Sequence, residues 1–528
     1  MYGLRSPSLE RRVVYVWSED LERAANHLPS NIGRSSVVHD LVRSFDLLAA
    51  EDITQPERQG QSPKHPSKTR SADLDEDAAA QEAQALAAET DTDSESVEGK
   101  PTWPAGLAKV VPPDTNAFGH KDNLTRYHEA GYVEYLLGPS SRDEGQSTSE
   151  GEGTSSDSST SAQRPAKRRK AIHGLEHDCP AFPLLPAYTR LVAAATQTAC
   201  RALVDGTADI AICWDGGRHH AMRNRASGFC YVADIVLGIM LLAKQGSARC
   251  LRPLALGTAS KSPESRQGAA KEPSQSSVAP LEGPMRRARV MYLDLDIHEG
   301  DGVHQAFLSP TKFPSTDLPP SGNPRRPPKA PQVLTLSIQH HSRTFFPPHR
   351  PFSGLPDPHT AHPFTLSIPL HPYPSAKTYH ALWPNVQRIK EAFGPDYVVL
   401  QLGVDGLPGD RVGQYGAWSV VGKGGVAWCV DRVRDWGLPL CVLGGGGYDH
   451  PNTARAWATA TSVLLGKHFD AETSIPHHDH FPMYGPGFTL EVPTSHATDE
   501  NSEEHLATIQ ETFTHIADRI RGIVAASA

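Results

Sequence analysis

RVMYLDLDIHEGDGV, residues 289–303, begins as an unbroken apolar run and ends in a cluster of carboxylates and an imidazole. A run without in/out alternation is what a strand covered on both faces looks like, and parallel sheets cover both faces. DIAICW (209–214), QVLTLSI (332–338), YVVLQLG (397–403) and LPLCVLGG (438–445) repeat the pattern, and VVYVW (13–17) reads as a further strand. Helical spacing lies between or after these runs, in VVHDLVRSFDLLAA (37–50), YHALWPNVQRIKEAFG (379–394) and NTARAWATATSVLLG (452–466). Alternating strands and helices predict an α/β fold with a parallel sheet. Functional groups in such a sheet gather just beyond the C-terminal ends of the strands.

Composition then divides the 528 residues. Stretches at about 51–104, 139–171, 256–286 and 312–331 are rich in Ala, Ser, Pro or acidic residues and nearly lack large apolar groups. They cannot bury enough surface to offset the entropy of ordering, so they read as disordered insertions. The remainder is one large domain or two small ones. A net charge of −9 excludes the global basic character of a non-specific nucleic-acid binder. Seven Cys exclude a disulfide scaffold and fit a reducing compartment. The longest apolar stretch, Tyr231 to Ala243, is interrupted by Asp234 and is too short to span a bilayer. MYGLRSPSLERR has no apolar segment behind its positive charges, so no secretory signal is expected. A soluble intracellular protein follows as the expectation.

Each strand end carries unusual chemistry. DGGRHHA (215–221) holds adjacent His219 and His220; DLDIHEGDG (294–302) holds Asp294, Asp296, His298 and Asp301; Asp405 follows YVVLQLGV; Tyr448 closes GGGGY (444–448). Asp296 and His298 stand two apart in an extended segment and point the same way. With Asp405 from a neighbouring strand end they form a two-carboxylate, one-imidazole set suited to Zn²⁺ with open positions, or to Fe²⁺ or Mn²⁺. A lone Asp at a strand end is more often a cap or turn residue, but an Asp-x-Asp-x-His run facing another acidic strand end is not. An imidazole beside such a site can accept a proton from water and return it to a leaving amine. Asp294 and Asp301 are natural partners for the two His rings, and a Tyr hydroxyl presented by a Gly run can hydrogen-bond a polarised carbonyl.

GGRHHA (216–221), SGFCY (227–231), YLDLDIHEGDGV (292–303), LQLGVD (400–405) and LGGGGYDHPNTARAW (443–457) together resemble the motifs of zinc-dependent class I histone deacetylases in the arginase/deacetylase superfamily. RSSVVHDLV (34–42), YHEAGYVEYL (127–136), HDCPAF (177–182) and YGPGFTLEVPTS (484–495) extend the resemblance over most of the chain. It implies a three-layer α/β/α fold around an eight-stranded parallel sheet, with a narrow tunnel to the metal. It implies a catalytic domain over 13–520, interrupted by the four insertions, and a short tail at 521–528. It places Asp296, His298 and Asp405 on Zn²⁺, with Fe²⁺ as an alternative, and a monovalent cation such as K⁺ near Asp294–His298 and Ser337. His220 matches the general base and acid paired with Asp301, His219 its neighbour paired with Asp294, and Tyr448 the carbonyl-polarising Tyr. Gly228, Phe229 and Phe346 match tunnel walls, Asp178 a rim carboxylate that binds substrate N–H groups, and Tyr15 and Arg34 residues of an internal cavity. The implied activity is metal-assisted hydrolysis of the acetyl-lysine amide in histone tails or other proteins. A nuclear location, with the cytoplasm as alternative, and a corepressor complex follow from the same resemblance, without sequence-specific nucleic-acid binding or membrane attachment.

The chain departs from the family pattern at several positions. Glu299 stands where a second His is usual, Arg218 replaces a large apolar residue, PPHR (347–350) replaces a Gly-rich continuation, and Val404 and Gly406 flank Asp405 where Ala and Ser or Thr are usual. Other signals read as structure: HHDH (477–480) as a surface turn, and His340 and His341 as packing or rim residues. Cys179 and Cys230 read as buried thiols before a redox pair. RPAKRRK (164–170) reads equally as a nuclear import signal or a solvated charge run. Arg411 matches one position of an inositol-phosphate site but Pro451 occupies another, so that regulator is not expected. The rival functions are a small-molecule amidohydrolase, which acetylpolyamine turnover would reveal, and a non-catalytic corepressor scaffold.

Overall fold

Eight strands form one sheet in the order β2-β1-β3-β8-β7-β4-β5-β6, and every neighbouring pair is parallel. They are β1 (Val13–Val16), β2 (Lys109–Val111), β3 (Ile210–Cys213), β4 (Val290–Asp294), β5 (Val333–His340), β6 (Thr365–Leu370), β7 (Tyr397–Gln401) and β8 (Leu440–Leu443). This computed structural model describes residues 11–49, 106–138, 172–246, 287–313, 329–347 and 354–527. The insertions at 51–104, 139–171 and 256–286, most of 312–331, RPAKRRK (164–170) and residues 348–350 lie outside the described residues.

Every strand except β2 is buried along its whole length, which is why the apolar runs lack alternation. The period-2 geometry is still present in three dimensions. Val13 and Tyr15, Ile210 and Ile212, Met291 and Leu293, Val398 and Leu400, and Leu440 and Val442 all join one core. That core is completed by helices Arg34–Ser44, Ala376–Phe393, Val426–Arg434, His450–Leu464 and Glu503–Ser527. The intervening strand residues are equally buried and face the other side, where Leu185–Val204 packs on β1, β3 and β8 beside Asp234–Gln245. The result is three layers, helix, sheet and helix.

Local chemistry sets the element ends. Asp449 caps His450–Leu464 by accepting the Asn452 N–H at 3.0 Å, and Pro451 occupies its first turn, where a missing N–H costs nothing. Trp457 from this helix stacks on Trp214 at 5.1 Å and 6°, tying the helix to the end of β3.

Two strands escape the sequence pattern. β2 has three residues on the sheet edge, too few for a period; β6, TLSIPL, carries Pro369, which only an edge strand tolerates. The helix over 37–50 is shorter than its apolar pattern: it is Arg34–Ser44, after which Leu48 bridges Ala108. Residues 521–527 are not a free tail but the last two turns of Glu503–Ser527, where Ile523 and Val524 pack on the core.

Candidate active site

The strands carrying the four candidate clusters, β3, β8, β7 and β4, are consecutive in the sheet. Because all run parallel, their C-terminal ends open at one edge and their loops converge there. The order β3-β8-β7-β4 therefore does what chain distance obscures: it brings residues 219, 296, 405 and 446 within touching distance.

Asp296, His298 and Asp405 are the group of three ionisable side chains among the described residues whose ligand atoms all lie within 4.8 Å of one another. Asp296 and Asp405 are fully buried and His298 is 6% exposed. His298 Nδ1 faces Asp405 Oδ2 at 2.8 Å and Asp296 Oδ1 at 3.2 Å. Backbone and amide donors orient the carboxylates: Gly446 N–H and the Gln401 side chain donate to Asp296 Oδ2 at 2.8 and 3.0 Å, and Ile297 N–H donates to Asp405 Oδ1 at 3.1 Å. Gly446 must be Gly, since a Cβ there would lie 2.2 Å from Asp405 Oδ2. Burial and the Asp296 charge push Asp405 up to about 7. Two buried carboxylates beside one imidazole are stable together when a cation lies between them, so this donor set fits a divalent metal.

The adjacent imidazoles are biased in opposite directions. His219 Nδ1 and His220 Nδ1 donate to Asp294 Oδ2 and Asp301 Oδ1, each at 2.8 Å, and the rings lie 3.9 Å apart. Burial lowers both, but Asp294 and Asp296 outweigh it at His219 and raise it to about 9. His220 stays lowered to about 4 by burial and the His219 charge. The carboxylates thus favour the charged form at His219 and burial favours the neutral form at His220, with Nδ1–H on Asp301 leaving Nε2 as the acceptor. Tyr292 donates to the same Asp294 oxygen at 2.7 Å.

Aromatic walls surround His220. Phe346 meets its ring edge-on at 4.9 Å and 88°, and Phe229 lies 5.6 Å from Tyr448. Gly228 sits at φ +52, and a Cβ there would come within 2.4 Å of His220 Cδ2. Gly228 N–H donates to Asp178 Oδ2 at 2.8 Å, so this carboxylate fixes the position of the Gly228 backbone beside His220. Burial and the charges of Asp405 and Asp296 hold the Tyr448 phenol well above its ordinary value, keeping it a donor. Every candidate catalytic, wall and metal residue from the sequence therefore falls at this one edge.

Three contributors were missed. Phe345 stacks on His298 at 4.6 Å and 9°; Gln401 holds Asp296; Asp410 accepts Tyr448 N–H at 2.6 Å while binding Val412 and Gly413 N–H. Gln401, a polar residue inside YVVLQLG, was the one visible signal. The remaining motifs are structural. His480 Nδ1 bonds Asp40 and His478 Nδ1 the Pro476 carbonyl, so HHDH does not converge on one point. His340 is buried between Phe345 and Tyr415, whereas His341 is exposed. Cys179 and Cys230 are buried free thiols, and burial pushes Cys230 up to about 12. Glu299 is buried and contacts His304 at 3.3 Å, bracing the turn between His298 and Asp301.

Comparison with known proteins agrees with this geometry. The chain matches the histone deacetylase domain over residues 106–251 and 278–464. It is 32% identical to "Histone deacetylase 8" of Danio rerio over 348 residues, covering 65% of this chain and 74% of that protein. It is 30% identical to "Histone deacetylase 8" of Xenopus laevis over 353 residues, covering 67% and 87% respectively. It is also 30% identical to "Histone deacetylase 6" of Arabidopsis thaliana over 403 residues, covering 76% and 67%. Matched sequence spans both halves of the strand-end cluster, and the chain belongs to the histone deacetylase family of the arginase/deacetylase superfamily.

Proposed function

We propose that this protein is a zinc-dependent class I lysine deacetylase that hydrolyses the acetyl amide of N6-acetyl-lysine in histones or other proteins, giving lysine and acetate. The observation that carries the reading is the pair of adjacent imidazoles, each held by its own carboxylate, beside a buried carboxylate–imidazole–carboxylate set. Asp296, His298 and Asp405 would hold Zn²⁺, with Fe²⁺ as the alternative, which supplies Lewis-acid activation of water and of the amide carbonyl. Ser337 Oγ, buried without a partner and in register with Asp294, fits a monovalent cation such as K⁺.

His220 Nε2 takes the proton of the attacking water, and Asp301 keeps the ring oriented by holding Nδ1–H. The imidazolium of His219 stabilises negative charge developing beside it. Tyr448 donates its hydroxyl proton in a hydrogen bond to the carbonyl oxygen as that oxygen gains charge. His220 then returns its proton to the departing lysine nitrogen. Gly228, Phe229 and Phe346 flank the lysine methylenes, and Asp178 accepts substrate backbone N–H groups at the rim. Transcriptional repression in the nucleus, within a corepressor complex, is the proposed setting.

Turnover of an acetyl-lysine histone-tail peptide should vanish on chelation and in Asp405→Asn, and return to the wild type when zinc is restored. Folded, metal-loaded protein that leaves the peptide intact would refute the reading.

A further inference from the structure

Tyr448 follows four consecutive glycines, the residues with the most backbone freedom to lose. A phenol on such a loop has a fixed place only if the loop is held from outside. Arg34 holds the carbonyls of Gly445 and Gly447 at 2.9 and 3.0 Å. Gly446 donates its N–H to Asp296 and accepts Val404 N–H at 3.0 Å. Those bonds hold the glycines. The N–H of Tyr448 itself goes to Asp410 Oδ2 at 2.6 Å.

Asp410 is 7% exposed and sits on the loop that follows Asp405. Its two oxygens serve different segments. Oδ1 accepts the N–H groups of Val412 and Gly413, both at 2.9 Å, the bonds of an ordinary Asp turn. A local turn needs nothing more, yet Oδ2 reaches 38 residues along the chain to Tyr448. The turn is itself pressed on a candidate metal ligand: a Cβ on Gly413 would lie 1.9 Å from the Asp405 carbonyl oxygen. One carboxylate therefore links the backbone of Asp405 to that of Tyr448. A carboxamide cannot replace it. Asn offers one acceptor oxygen and one NH₂ group, so serving the turn leaves a donor facing the Tyr448 N–H.

We propose that Asp410 is a positioning residue that sets the Tyr448 phenol relative to Asp296, His298 and Asp405, accepting the Tyr448 N–H on Oδ2 while Oδ1 closes the turn against Asp405. This role rests on the hydrolytic reading of the site and supplies what holds its carbonyl-polarising group. Asp410 touches no reacting atom; it acts through Tyr448.

A double-mutant cycle on the full chain tests it, with Asp410→Asn, Tyr448→Phe and the pair assayed on an acetyl-lysine histone-tail peptide. Asp410→Asn should lower kcat by about 10- to 100-fold, the range that misplacing a reacting group by about an ångström costs, with KM nearly unchanged. Zinc stoichiometry should hold. In the Tyr448→Phe background the same substitution should cost less than about threefold, because the group it positions is already absent. Hydrogen exchange at the Tyr448 amide should quicken at least about tenfold in Asp410→Asn, while the amides of β8 keep wild-type rates. Losses that multiply in the double variant, or lost zinc, would show that Asp410 acts on stability or on the metal set and would overturn the proposal. An unchanged Tyr448 amide would overturn it as well. Folded, zinc-loaded wild type without turnover would refute the hydrolytic reading alone, and the exchange comparison would then decide whether Asp410 places Tyr448. Should Asp410→Asn fail to fold, Asp410→Glu, which keeps the charge and lengthens the arm, takes its place in the cycle with the same expected outcomes.

Discussion

Residues of the site divide into those that make chemistry and those that leave room for it. Tyr448 belongs to the first kind. Tyr448→Phe removes only the hydroxyl, and turnover should fall about 100-fold or more, the usual cost of losing one oxyanion donor; metal content measured by mass spectrometry should not change. Gly228 belongs to the second kind. Gly228→Ala forces a Cβ against His220 and costs about 1–2 kcal/mol for the left-handed backbone alone. Its turnover should drop while zinc stoichiometry holds, and unchanged turnover would mean that His220 has space to move. The residue types DLDIH, HH and GGGGY were legible because such groups are costly to bury without a task. Gln401 and Asp410 were not, because one carboxamide or one Asp is common on any strand or loop.

At the scale of elements, one histidine joins two segments that the chain separates by about a hundred residues. His128, 2% exposed, donates from Nδ1 to the Arg223 carbonyl at 3.1 Å and accepts Ala233 N–H on Nε2 at 3.0 Å. Only the neutral ring makes both bonds, and burial lowers its pKa to about 4. The unfolded chain binds this proton near pH 6.5, before the folded one does. His128 therefore contributes its full stability above about 6.5 and loses it as pH falls towards 4, by about 3 kcal/mol at most. Unfolding midpoints should decline with acidification over that window, and the slope should be shallower in His128→Gln. Trp457 offers a second test. It stacks on Trp214 and donates to the Leu402 carbonyl at 2.8 Å, so Trp457→Ala should cost about 3–5 kcal/mol in denaturant unfolding. Elements with long apolar runs were readable before the structure, whereas β2 and β6 were not, since an edge strand needs neither length nor continuous hydrophobicity.

For the molecule as a whole, the first insertion departs from and returns to neighbouring points. Ala108 N–H donates to the Leu47 carbonyl and Ala49 N–H to the Ala108 carbonyl, both at 2.9 Å. The fold therefore closes this loop without needing its length. Replacing residues 51–104 by a short Gly/Ser linker shortens the loop about ninefold and should stabilise the protein by about 2 kcal/mol through lower closure entropy. A fall in the thermal midpoint would show that the segment contributes contacts of its own. The sequence by itself determined the α/β class, the parallel sheet and the identities of the metal-ligand, imidazole and tyrosine candidates, because burial on both faces and clustered ionisable groups leave marks within a few consecutive residues. Tertiary structure alone decided that β3, β8, β7 and β4 stand side by side, that Asp294 and Asp301 each hold one of the two adjacent imidazoles, and that Arg34 and Arg218 face one cavity. Each of those depends on distances between segments far apart in the chain, and electrostatic energy and packing follow distance in space.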